Sequence, residues 1–161
     1  MKGTKAKTAS GDRNPKNLVI QNKHLWFSQA VNVLGRSGVQ WHEVDMKGRF
    51  VQDGLLANNQ TSYIETTVAV NKHNDLLVGF QETSPDMFIS ARYAWRKGTD
   101  REGKLRPIVS FGEGVAATAG GAWGDYSGSV VDGDNLNDLW TIQSVANAKG
   151  GGSTVITRVH P

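Results

Sequence analysis

The sequence predicts an all-β fold. Three observations carry that prediction: period-two alternation of apolar and polar residues, turn residues at short intervals, and no segment with sustained apolar spacing of three and four. In Met87 to Trp95 one face shows Met87, Ile89, Ala91, Tyr93 and Trp95, and the other Phe88, Ser90, Arg92 and Ala94. The run Thr66-Thr67-Val68-Ala69-Val70 is small and β-branched, as expected of a strand packed on both sides.

Taken in order, the strands are expected near 25–31, 39–45 and 49–56, then 63–70, 76–82, 87–95 and 107–111, then 127–131, 139–145 and 154–160. Asn71-Lys72-His73-Asn74 reads as a tight hairpin. Asp132 to Asn137 occupies the equivalent place one unit later, and Lys149-Gly150-Gly151-Gly152 is the hairpin loop before the last strand. Within this order a unit recurs. His24-Leu25-Trp26-Phe27-Ser28-Gln29, Asp75-Leu76-Leu77-Val78-Gly79-Phe80 and Asp138-Leu139-Trp140-Thr141-Ile142-Gln143 are each entered through a polar turn. Leucines at 25, 76 and 139 recur at the spacing of a four-stranded propeller blade. The expectation is a partial β-propeller of about three antiparallel four-stranded blades, over residues 22–60, 61–120 and 121–161, since closure needs about four to eight. The first unit is expected to lack its opening strand and the last its closing strand.

The 161-residue chain is long enough for one domain with a core, and having no cysteine it has no disulfide or thiolate metal site. Its net charge of +3 is unevenly spread. Lys2, Lys5, Lys7, Arg13 and Lys16 stand against Asp12 alone, +4 within residues 1–17, so residues 18–161 carry −1. Residues 1–21 read as a disordered basic leader; with no aromatic residue interleaved, it does not point to nucleic acid. No stretch approaches the roughly 20 apolar residues of a membrane span. The polar start, passing directly into a repeat, is expected of the C-terminal part of a longer chain.

Trp123-Gly124-Asp125-Tyr126-Ser127-Gly128, followed by Val130-Val131-Asp132 and Leu139-Trp140, resembles the closing blade of bacterial extracellular β-propellers with sialidase-like, BNR-type repeats. Val39-Gln40-Trp41-His42-Glu43-Val44-Asp45 and Ala69-Val70-Asn71 resemble preceding blades, and the likeness covers roughly residues 22–160. It implies a secreted or surface location and a scaffold or binding role. The residues add that Trp123 offers a large body for an inter-blade seam, with an indole N–H that needs a partner. Gly124 and Gly128 permit close backbone approach, and Asp125 suits a turn.

The enzyme alternative is a fragment of a sialidase-like glycoside hydrolase needing further blades. That chemistry, as the resemblance implies it, wants three arginines around a carboxylate, a tyrosine with a glutamate partner, and an acid–base aspartate. Arg92, Arg96, Arg101, Arg106 and Arg158 are present with Tyr93 and Glu82, but no spacing selects a trio. Trp41, Tyr93, Trp95 and Trp123, with Asp125, are the candidates for stacking on a sugar or peptide. Asp132, Asp134, Asn135 and Asp138 are the candidates for a structural calcium, although Leu136 interrupts the oxygen pattern. His24, His42, His73 and His160 show no paired metal spacing. A three-blade wedge exposes a broad apolar sheet face, so self-association or partner blades are expected.

Overall fold

A computed structural model describes residues 1–9, 14–124 and 127–161. The described chain is all-β, with three antiparallel sheets following one another in sequence. The first holds β1 (Leu18–Gln21), β2 (His24–Val33), β3 (Arg36–Asp45) and β4 (Phe50–Leu56) in that spatial order. The second holds β5 (Ser62–Val70), β6 (Leu76–Ser84), β7 (Met87–Arg96) and β8 (Val109–Gly112). The third holds β9 (Gly128–Val131), β10 (Leu139–Ala146) and β11 (Gly152–Val159).

The expected strands fall on β2 to β11 with small shifts at their ends. One expectation is corrected: the first sheet does have its opening strand. β1 lies inside the segment read as leader, and pairs Leu18 with Phe27 and Ile20 with Leu25. Its four residues are too few for alternation to announce them. The third sheet has three strands, and Leu25, Leu76 and Leu139 lie in the second strand of their sheets, as the repeat implies.

The second sheet lies between the other two, and its strands β5 and β6 are buried almost throughout. Toward the first sheet it presents Val68, Val70, Leu76, Val78, Phe80 and Ala94, which meet Trp26, Val39 and Trp41 in one apolar cluster. Within it the rings of Trp26 and Trp41 stack at 6.3 Å and 15°. Burying aromatic bodies of this size supplies much of the stability of such a seam.

Toward the third sheet the faces are closer and more polar. Ala69 and Leu77 meet Leu139 and Val159, with Tyr93, Trp95 and Val131 packed alongside. Beside them runs a buried polar row. Thr67 Oγ1 and Ser129 Oγ share a bond of 2.7 Å, Ser129 donates to Thr141 Oγ1 at 3.0 Å, and Gln143 Nε2 donates to both threonines. Gly79 makes this approach possible. A Cβ there would lie 2.1 Å from Thr141 Oγ1 and 2.8 Å from Gln143 Nε2. Neither neighbour can retreat without breaking the row.

Gly79→Ala is therefore expected to destabilise the fold by about 3 kcal/mol, the upper range for overpacking. Urea denaturation followed by tryptophan fluorescence checks it, and an unchanged midpoint would contradict the seam as described.

Candidate functional site

Strands β5 and β9 meet the approach to β1 at a polar centre. Asn17 holds β5 through both amide atoms: its Nδ2 donates to Val68 O at 2.7 Å, and its Oδ1 accepts from Val68 N at 3.2 Å. One position earlier, Lys16 forms an ion pair with Glu65, whose side chain is 1% exposed. Glu65 sits at an irregularity between Ile64 and Thr67, with a left-handed φ of 54°. A non-glycine residue rarely adopts that backbone, and its occurrence at a buried carboxylate marks a constrained position.

Gln81 links this centre to the third sheet. Its Oε1 accepts the Trp123 indole N–H at 2.7 Å, and its Nε2 donates to Ser127 Oγ at 3.1 Å and Gln143 Oε1 at 3.4 Å. Gly124, at φ 74°, lies so close that a Cβ would be 2.7 Å from Gln81 Oε1 and 2.8 Å from Glu65 Cγ. The Trp123 indole N–H thus has the partner that its sequence context calls for. Asp125 lies outside the described residues.

Chemically the centre offers one carboxylate, neutralised by one lysine. Among the described residues no second carboxylate is hydrogen-bonded into it. The arginines do not converge either. Arg92 is buried and spans Glu82 Oε2 at 2.8 Å and Glu113 Oε1 at 3.0 Å. Arg96 donates to Asp100 O at 2.7 Å and lies over the Trp41 ring. Arg106 pairs with Asp100, and Arg158 with Asp138. Each thereby serves a local partner, and Arg101 is exposed.

The aromatic candidates are dispersed. Trp41, 1% exposed, belongs to the seam between the first two sheets. Tyr93 is half-buried on the other side of the middle sheet, tilted against Phe111 at 5.9 Å, and burial raises its phenol pKa. Trp95 stands beside it with the Arg106 guanidinium 4.2 Å from its ring centre, close enough for a cation–π contact. These side chains line seams instead of converging on one surface.

The aspartate-rich loop is closed by its own donors. Asp132 Oδ1 accepts from the N–H groups of Asp134 and Asn135, at 2.9 and 3.2 Å, and its Oδ2 accepts from Trp140 Nε1 at 2.9 Å. The indole bond is the foremost reason its carboxyl titrates below the usual aspartate range. Asn135 Oδ1 accepts from the N–H groups of Asn137 and Asp138. Asp138 is bound by His160 and Arg158, and its pKa is lowered, first by the His160 bond. No group of three or more His, Asp or Glu that could hold a metal occurs among the described residues.

Sequence reasoning missed Lys16, Glu65, Gln81, Gln143 and the pairing of Asp138 with His160. Their partners lie far apart in the chain, so spacing holds no trace of them. No helix among the described residues is long and apolar enough to cross a membrane. No family model, curated protein or solved structure matches the chain.

Two outcomes follow from this geometry. Trp41→Ala is expected to cost about 3–5 kcal/mol of stability, as for other buried aromatics; a stable variant in chemical denaturation would contradict its place in the seam. Asp100 has a carboxyl pKa lowered to about 2 from 3.8, chiefly by its bond from Arg106. A depressed carboxyl stabilises the fold above its unfolded value, and that contribution disappears as pH falls through the folded value. Stability is expected to fall between about pH 4 and pH 2, less steeply in Asp100→Asn. Parallel acid titrations of the two proteins check this.

Proposed function

We propose that this chain is a non-catalytic, propeller-type module that serves as a scaffold or in binding, and whose two end sheets are covered by further sheets of the same kind. The observation that carries the reading is the apolar character of both outer faces. On the first sheet Leu18, Ile20, Phe50 and Leu55 are 53–68% exposed, beside the partly covered Leu25 and Phe27. On the third, Val130 and Ile156 are 61% and 62% exposed, with Trp140 opposite Val130 and Ile142 opposite Ile156. Faces of this kind mark interaction surfaces on soluble chains. The sheet order supports the propeller form, because each sheet runs from an inner to an outer strand and the next begins again at the inner edge. Two copies would supply six sheets, within the range of about four to eight for a closed ring.

A second copy docked head to tail is the arrangement to test, since the two faces differ and a heterologous contact joins unlike surfaces. Phe50→Lys blocks one face and Ile156→Lys the other. Light scattering is expected to give a mass above the monomer for the unaltered chain, falling toward the monomer in each variant. Mixing the variants should restore a dimer through their one intact pair of faces. A monomer at every concentration would overturn self-association.

His42 adds a pH dependence. Its ring lies between Phe27 and Phe50, at 4.8 and 5.5 Å, and burial lowers its pKa despite the nearby Asp53. Covering this face favours neutral imidazole further, so association should weaken as pH falls through the lowered titration range of this ring, beneath the usual histidine value. Sedimentation across that range checks it, with His42→Phe expected to lose the dependence.

A further inference from the structure

The N-terminal arm is bound to the body of the molecule, and it encloses a cavity of about 440 Å³ against the ends of the first two sheets. Lys7 O accepts from Gly121 N at 2.9 Å, and Ala9 N donates to Gly121 O at 2.9 Å. The seat is closely fitted. A Cβ on Gly120 would lie 2.8 Å from both Ala6 Cβ and Lys7 O.

The wall is cationic. The arm contributes Lys5 and Lys7, and the β2–β3 hairpin contributes Arg36. No aspartate or glutamate among the described residues lines the cavity. None of the three cations forms an ion pair among the described residues; Arg36 uses only its Nε, donating to Asn59 O at 3.0 Å. Two hydroxyls of the same wall, Thr8 Oγ1 and Ser37 Oγ, are buried with no hydrogen-bond partner among the described residues. Three like charges around one cavity repel, and unpartnered hydroxyls cost desolvation energy. A single small anion relieves both.

We infer that this cavity binds a tetrahedral oxyanion, phosphate or sulfate, free or as the terminal group of a small ester. Lys5 and Lys7 neutralise its charge, and the free end of the Arg36 guanidinium presents a fork of donors to two oxygens. Thr8 and Ser37, whose hydroxyl oxygens are sealed from solvent in the empty site, would have to turn about χ1 to bond the remaining oxygens. This site is independent of the end-face docking described above, since it lies at the strand ends beneath the arm.

The test is titration of the full chain with sodium phosphate at constant ionic strength, followed by amide chemical shifts. Saturable shifts are expected at Lys7, Thr8, Ser37 and Gly121. Arg36→Gln and the pair Lys5→Gln/Lys7→Gln are each expected to weaken affinity at least tenfold, while Lys23→Gln in the β1–β2 turn leaves it unchanged. The same spectra report whether each variant remains folded. A phosphate monoester binding as well as free phosphate would place the natural ligand among esters, and binding of the free anion alone would place it among inorganic ions; either supports the site. Shifts that never saturate, or affinity undiminished in the folded Arg36→Gln and Lys5→Gln/Lys7→Gln proteins, would overturn it.

Discussion

Every other feature of the molecule depends on the middle sheet being sealed from both sides. A strand buried on one face can alternate apolar with polar residues. β5 and β6 cannot, because both of their faces are interior. The chain meets this constraint in two chemically different ways. Against the first sheet it uses aromatic and branched side chains, where volume must match but direction is free. Against the third it uses hydroxyls and amides whose bonds have fixed directions. The polar row does for register what the tryptophan pair does for stability. A slip of one residue between the second and third sheets would leave Thr67, Thr141 and Gln143 buried without partners, at a cost of about 1–3 kcal/mol each.

What the chain reveals before folding is its local order. Alternation in Met87 to Trp95 correctly puts Tyr93 and Trp95 on one face, and the β-branched run at Thr66 to Val70 correctly marks a doubly buried strand. The unseen features are those made between distant residues. Gln143 and Thr67 are 76 positions apart, and Lys16 and Glu65 are 49 apart. No periodicity links such pairs. β1 escaped for a different reason: Leu18-Val19-Ile20 is apolar on both faces and stops after four residues, adjoining a basic segment that dominates its composition.

The aspartate-rich loop shows why composition underdetermines chemistry. Asp132, Asp134, Asn135 and Asp138 are the residue types that a calcium loop needs and also those that a polar turn needs. In this fold Asp132 accepts two backbone N–H groups and an indole, and Asp138 holds a guanidinium and an imidazole. The arginines follow the same logic. Arg92 is legible as a polar position on an alternating strand, but only the fold reveals that Glu82 and Glu113 both close upon it.

The two end faces complete the argument about assembly, because they are unlike in a way that the interior explains. The outer face of the first sheet carries aromatic rings around His42, whose Nδ1 has no partner among the described residues. On the outer face of the third, Ile142 lies opposite Ile156, and Trp140 lies between Val130 and Arg158 in register. A partner proposed for the first would cover a buried imidazole nitrogen that it cannot itself reach, whereas a partner for the third meets the Arg158 guanidinium beside Trp140. The interior seams show the same division: one seam is held by apolar volume and the other by directed polar bonds. The end face of the first sheet, with His42 among apolar rings and Asp53 and Gln40 in its register, lies between those two solutions. In the proposed association it would supply the apolar area, and His42 would oppose that association once protonated.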